Sequence, residues 1–239
     1  AGCGDIGTSL GKALVEKGHY VVGLRRNPPA EKMGIHFVAA DFTNLAELAG
    51  LETDFDQVFF LAAPKQHDSP AYRNVYDLGL KNLLYRLSQN HHSPHWISVS
   101  STSVYGQSGG EWVDEDSLTE PKKYNGQLQL LSEQSVLAEN KSNLVVRFAG
   151  IYGPGRKRML GIASKGDQIQ FSPPYYTNRI HKEDCVGVLV FLLEKRLDGN
   201  ELCSHYLASD DEPAPMWEVV SWLAKQLKCR QPEIKQVDK

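Results

Sequence analysis

The stretch that decides the fold is the first one, AGCGDIGTSLGKALVEKGH, residues 1–19. Gly2, Gly4 and Gly7 fit G-x-G-x-x-G, with Cys3, Asp5 and Ile6 between them. In that pattern the first glycine permits a tight turn. The second lets the backbone approach a phosphate, and the third lets helix and strand pack closely. The pattern carries weight only between a strand and a helix. A helix does follow: Ile6, Leu10, Ala13 and Leu14 form an apolar stripe over 5–17, and Gly18 sits where a left-handed cap ends it. The free N–H groups of that helix's first turn suit an anion. Little stands ahead of the glycines to serve as the preceding strand, so the first strand is expected to lie partly outside this sequence. The end at EIKQVDK is likewise expected to fall short of a full C-terminal lobe.

Outward from this point the pattern alternates. HYVVGL (19–24), HFVAAD (36–41), DQVFFLAAP (56–64), HWISVSS (95–101) and NLVVRFAG (143–150) read as strands, with helices between them at 45–51, 70–89 and 126–140. Nearly continuous apolar strands separated by helices indicate a parallel sheet covered on both faces. The expected fold is α/β, a doubly wound Rossmann-type parallel sheet over residues 1–152. Its ligand site lies beyond the C-terminal strand ends. From 153 the composition turns to Gly, Pro and polar residues, followed by helices at 182–195 and 215–227 around HYLAS. Residues 153–239 therefore read as a small, mainly substrate-binding lobe with returning sheet elements.

Bulk properties exclude several classes. The 239 residues carry 26 Lys+Arg against 29 Asp+Glu, a net charge of −3. That argues against a nucleic-acid partner, which needs a basic face. No run approaches the length of a membrane span. Four cysteines, Cys3, Cys185, Cys203 and Cys229, lack metal spacing and read as free thiols of a reducing compartment, hence a cytoplasmic location. His91, His92 and His95 form H-H-x-x-H, but no local carboxylate or cysteine completes a metal set, and none is expected.

The end of the second strand selects the cofactor. GLRRN offers Arg25 and Arg26 and no carboxylate, which suits a 2′-phosphate and favours NADP over NAD. Asp41 ends the third strand, with Phe42 after it. The Asp41 carboxylate can accept from the adenine amino group, cap the helix that DFTNLAEL opens, or both.

SVSSTSVYG (98–106), with the glycine motif, VFFLAAP (58–64), RFAGIYGPGR (147–156) and NRIHKED (178–184), is specific in combination. In this order the motifs resemble an extended or atypical short-chain dehydrogenase/reductase, of the NAD-dependent epimerase/dehydratase group that acts on nucleotide sugars. The resemblance covers nearly the whole chain. It implies NAD(P) bound across the sheet top, with Leu61, Ala62 and Ala63 beside the cofactor and a small-molecule substrate. It also implies a Ser or Thr after the fifth strand, a Tyr, and a Lys four residues beyond it. Ser101 matches the serine, with Thr102 as its neighbouring alternative.

Here the sequence departs from the pattern. In EPKKYNGQLQLLSEQ (120–134) Tyr124 is the tyrosine in reach, and four residues on stands Leu128. Aligned on Glu133 instead, Asn125 and Gln129 occupy the Tyr and Lys positions. An unperturbed tyrosine is about one part in a thousand ionised at pH 7, a deficit of roughly 4 kcal/mol that the missing ammonium would reduce. The helix after the fourth strand puts Tyr76 or Asp77 where the family places an Asn. The catalytic set is therefore expected to be Ser101, Thr102 and Tyr124 without a lysine. The two readings are an NAD(P)-dependent enzyme and a non-catalytic NADP-binding module. Arg156 and Arg179, with Arg158, are candidates for an anionic substrate, and Arg147 for either an anion or a structural ion pair. Asp184 is expected to cap the helix after it. The helix at 70–89 is an expected homodimer face.

Overall fold

The computed structural model describes residues 1–31, 33–90 and 92–235. In chain order the strands are β1 (Val22–Arg25), β2 (His36–Ala39), β3 (Gln57–Phe60), β4 (His95–Ser101), β5 (Leu144–Phe148), β6 (Gly150–Tyr152), β7 (Gln168–Gln170), β8 (Tyr176–Thr177), β9 (Arg179–His181), β10 (His205–Ala208), β11 (Ala214–Pro215) and β12 (Glu233–Lys235). The α-helices are α1 (Asp5–Glu16), α2 (Ser69–Arg73), α3 (Leu80–Leu87), α4 (Tyr124–Glu139), α5 (Arg158–Lys165), α6 (Lys182–Leu197) and α7 (Met216–Gln226).

β10, β5, β4 and β3 lie side by side, all parallel, and β1 pairs in parallel with β2. Residues 1–3 join the two groups. Ala1 N donates to Phe59 O at 2.6 Å, Leu61 N to Ala1 O at 2.9 Å, and Cys3 N to Leu24 O at 3.1 Å. The spatial order is therefore β2, β1, residues 1–3, β3, β4, β5, β10. The chain runs outward in one direction through β1 and β2, then returns and continues through β3. Residues 1–3 stand at this reversal, the topological switch point at which doubly wound sheets bind ligands. β5, interior to the sheet, is buried at all five positions, as a parallel strand covered on both faces requires.

Each face has its own core. Leu10 and Leu14 of α1 and Cys185, Leu189, Leu192 and Leu193 of α6 cover Ile97, Leu144, Val146 and Phe148. On the other face Leu80, Leu83, Leu84 and Leu87 of α3 and Leu128 and Val136 of α4 pack with Val58, Phe60 and Trp96. A third, smaller cluster joins α5 to α7 through Ala163, Val220 and Ala224.

Four local expectations need correction. The expected helix at 45–51 is a single 3-10 turn, Leu45–Leu48, because its bonds reach back only three residues, as in Glu47 N to Asn44 O. Its cap is Asn44, whose side chain accepts from Ala46 N, and not Asp41. The expected strand 143–150 divides because Ala149 N still bonds Ala208 O, whereas Gly150 N bonds Asn178 O and so changes partner from β10 to β9. The rod at 70–89 carries a π-helical turn, Asn74–Gly79, between α2 and α3.

Candidate functional site

The glycine loop is shaped by what surrounds it. Gly2 has φ +78°, and a Cβ there would stand 2.4 Å from Ala62 N. A Cβ on Gly7 would stand 3.0 Å from Gly2 O, so the turn and the helix close on each other. Gly4 differs: among the described residues beyond its chain neighbours, its Cβ would meet within 4 Å only Gly2 O, at 3.9 Å. The loop is filled beneath Gly2 and Gly7 and open above Gly4. By helix geometry the first-turn amides of α1, at Asp5, Ile6 and Gly7, have no partner inside the helix. Open space over a glycine beside a helix N-terminus fits a dinucleotide's diphosphate.

At the C-terminal end of β1, Arg25 closes the strand and Arg26 follows it. Arg26 Nη1 lies 3.5 Å from Asp41 Oδ2. Asp41 Oδ1 accepts from Thr43 N at 3.0 Å and from Thr43 Oγ1 at 2.8 Å, a local turn rather than a helix cap. Burial works against ionisation of Asp41. The Thr43 hydrogen bonds and the Arg26 guanidinium outweigh it and hold the carboxyl below its ordinary range. Phe42 packs edge-on against Phe60 at 6.2 Å and lies over Gly79, which makes it part of the core wall here.

The residues expected at a reacting end follow β3 and β4. Leu61, Ala62 and Ala63 leave β3 directly against the glycine turn. Ser101 ends β4, and its Oγ accepts from Ser103 N at 3.1 Å, which caps the 3-10 turn Thr102–Val104. That bond leaves the Ser101 hydroxyl proton free to donate. Gly126 brings α4 onto this turn, since a Cβ there would lie 2.2 Å from Ser103 O. Tyr124 thus stands at the start of α4. Its hydroxyl donates to His67 O at 2.5 Å and its ring meets Tyr72 edge-on at 5.4 Å.

Gln129, at the position where the second alignment expects lysine, is buried and fully engaged. Its Oε1 accepts from Ser103 Oγ at 2.7 Å, and its Nε2 donates to Tyr76 Oη at 3.2 Å. Burial pushes the Tyr76 phenol up to about 12, against the opposing Gln129 hydrogen bond. A neutral relay, Ser103–Gln129–Tyr76, therefore stands where the alignment on Glu133 expects an ammonium. Leu128, four residues beyond Tyr124, is core. Neither alignment yields a Tyr–Lys pair.

The family model described as NAD dependent epimerase/dehydratase family matches residues 2–201. The chain belongs to this family. Among solved structures, a Methylobacillus flagellatus protein assigned to the NAD-dependent epimerases/dehydratases is 32% identical, with a TM-score of 0.78 over 98% of this chain and 82% of its own. A conserved protein of unknown function from Silicibacter pomeroyi is 27% identical, with a TM-score of 0.70 over 98% of this chain and 79% of its own. The UDP-glucuronic acid 4-epimerase of Bacillus cereus, solved with NAD, shares the fold at 22% identity and a TM-score of 0.74, over 97% of this chain and 84% of its own. Comparison with curated proteins found no match.

Within this epimerase/dehydratase scaffold the arginines have distinct places. Arg147 is a structural ion pair, with Nη2 2.8 Å from Glu133 Oε2 and both side chains buried. Arg179 is held by Thr177, by Glu212 O and by Asp210 at 3.9 Å. Arg156 Nη2 lies 3.2 Å from Asp5 Oδ2, and Lys182 Nζ lies 3.0 Å from Asp5 Oδ1. Neither Asp5 contact is readable from sequence, because the partners come from the far half of the chain. His181, not Asp184, caps α6, its Nδ1 accepting from Glu183 N at 3.4 Å. A cavity of about 310 Å³ beneath the middle of α4 is lined by Glu115, Glu133, Arg147 and His205, away from the glycine loop. Burial and the neighbouring Arg147 push the His205 pKa down.

Among the described residues no cluster of three His, Cys, Asp or Glu could hold a metal, and no helix is long and apolar enough to cross a membrane. His91 of the H-H-x-x-H run lies outside the described residues. All four cysteines are unpaired, Cys3 and Cys185 buried and Cys203 exposed, and burial pushes the Cys185 thiol up to about 12. Under native conditions a thiol reagent should modify Cys203 first and leave Cys3 and Cys185 protected until denaturant is added. Mass spectrometry of the partially labelled protein checks this order.

Proposed function

We propose that this chain binds a nicotinamide dinucleotide along the C-terminal edge of its sheet and acts there on a nucleotide-linked sugar or similar small molecule, as an epimerase, dehydratase or reductase. The observation that carries the reading is the loop closed beneath Gly2 and Gly7 and open above Gly4, with the ends of β3 and β4 beside it. Gly2, Gly4, Asp5, Ile6 and Gly7 would face the diphosphate, and Leu61, Ala62 and Ala63 the nicotinamide half. Arg25 and Arg26 support NADP over NAD, since Arg26 lies at the β1 end and is only half covered. When bound, the nicotinamide supplies hydride exchange. The free proton of Ser101 would hydrogen-bond the reacting oxygen, with Thr102 beside it, and Tyr124 would exchange its bond to His67 O for one to substrate. Arg158, exposed and near enough to Tyr72 to act on its phenol, is suited to a substrate anion.

A thermal-shift titration with NAD, NADP, NADH and NADPH, followed by nucleotide sugars on the tightest complex, tests this. A ligand at 100 times its dissociation constant should add about 2.7 kcal/mol. Turnover should fall by roughly 10²–10⁴ in Tyr124→Phe, and a fully active Tyr124→Phe removes its role. One observation favours a second reading: four residues beyond Tyr124 stands buried Leu128 and not an ammonium, which leaves Tyr124 a poor base. A protein that gains stability from NADPH and turns over no sugar nucleotide is a non-catalytic binding module.

A further inference from the structure

The Asp5 carboxylate sits on the first residue of α1, at the edge of the opening above Gly4. It is met by two cations, Arg156 at 3.2 Å and Lys182 at 3.0 Å. One carboxylate is thus shared between two cations, with Glu183 and Asp184 adding negative charge in the first turn of α6. The sharing is built in by the fold. Gly153 has φ +125°, and a Cβ there would stand 2.7 Å from His181 Nε2 and 3.1 Å from Lys182 Cγ, so the turn 153–156 lies directly on the start of α6. Arg156 N donates to Gly153 O at 3.0 Å, which fixes the arginine's backbone in that turn.

The Arg156 guanidinium is incompletely satisfied. Among the described residues its buried Nε has no hydrogen-bond partner, although Nη2 reaches Asp5. A planar guanidinium offers five donors in a fixed fork suited to phosphate oxygens. Lys182 is mostly covered, its side chain 19% exposed, and can hold Asp5 without help.

We propose that Arg156 exchanges partners, leaving Asp5 for the diphosphate of the bound cofactor while Lys182 keeps Asp5. Arg156 is then a cofactor ligand and not a reader of the substrate anion. The inference rests on the cofactor reading above and adds to it which cation meets the diphosphate and which carboxylate competes for that cation.

Competition gives the two partners opposite signs. Arg156→Gln removes a charge-assisted contact and should weaken NAD and ADP-ribose about tenfold or more. Asp5→Asn removes the competitor and a negative charge, and should tighten both severalfold. The measurement is isothermal titration of the whole chain with ADP-ribose and NAD, then with UDP-glucose on the NAD complex. Melting curves establish that each variant is folded, and Lys182→Gln, with Asp5 left to Arg156, should also weaken ADP-ribose. ADP-ribose binding within twofold of wild type in Arg156→Gln overturns the proposal, as does Asp5→Asn binding no tighter than wild type. Loss confined to UDP-glucose in Arg156→Gln returns this arginine to the substrate. A wild-type chain that binds neither NAD nor ADP-ribose removes the cofactor reading itself, and this proposal with it.

Discussion

Replacing Arg147 with Ala should cost about 3–5 kcal/mol of stability and lower the thermal midpoint by roughly 10 °C in a chain of this size. The reason is what remains behind. Arg147 Nε and Nη2 both reach Glu133, at 3.1 and 2.8 Å, and Ser100 Oγ donates to Glu133 Oε1 at 2.5 Å. Glu133 is 2% exposed and Arg147 3%. Without the arginine, a buried carboxylate keeps one hydroxyl donor and a histidine 3.9 Å away whose own pKa burial has lowered. A buried charge without its partner costs far more than the pair contributes when intact. Arg147 also carries Tyr105, whose hydroxyl accepts from Nη1 at 3.0 Å and whose ring lies 5.2 Å below the guanidinium. The loop after β4 should therefore loosen as well. Glu133→Gln/Arg147→Met should lose less than Arg147→Ala, because no net charge is left buried. Chemical denaturation of the three proteins measures the coupling, and equal losses in single and double variants would show the charge to be irrelevant.

This pair illustrates which parts of the molecule are legible in sequence. The apolar stripe of α1 and the runs that became β1 to β5 are local signals, since an element that buries one face must repeat its apolar residues at its own period. The glycine loop is legible for the same reason: three glycines at fixed spacing report a tight turn, and Gly2, at φ +78°, is the one of them whose backbone favours glycine. What is decided by long-range contact is not. Asp5 reads as one more helix-start carboxylate until Lys182, 177 positions away, is seen beside it. Arg147 reads in sequence as an ion pair or a ligand, the ion pair favoured, until Glu133 on the facing helix decides it. The stretch 153–181 carries little periodicity because its short strands are fixed by partners elsewhere in the chain, β7 by β12, β8 by β11 and β9 by β6. Gln129 is the instructive middle case. The alignment on Glu133 puts it in the lysine's place, but only the fold ties it to Ser103 and Tyr76 and so turns a missing cation into a neutral relay.

Gly2→Ala and Gly4→Ala should separate folding from binding, although the two positions are neighbours in one motif. At Gly2 the new methyl would lie 2.4 Å from Ala62 N and 2.5 Å from Ala62 Cα, and the backbone there has φ +78°. Backbone atoms of β3's exit cannot yield as a flexible side chain can, so residues 1–3 must shift. These residues join β1 to β3 through the bonds of Ala1 and Cys3, so the shift opens the sheet at its switch point. The expected result is a loss of several kcal/mol, comparable to severe core substitutions, and no measurable cofactor response. At Gly4 the methyl would meet, among the described residues and apart from its own chain neighbours, nothing closer than 3.9 Å. The variant should melt close to wild type. Its methyl instead occupies the space into which a diphosphate must descend, and the amides of α1 can no longer be approached. NAD or NADP should then fail to raise its midpoint at concentrations that saturate wild type. Thermal melts of both variants with and without NAD(P) decide the matter. A Gly4→Ala protein with an undiminished ligand shift would mean that the dinucleotide does not lie over this loop, whatever the loop's likeness to one that binds it.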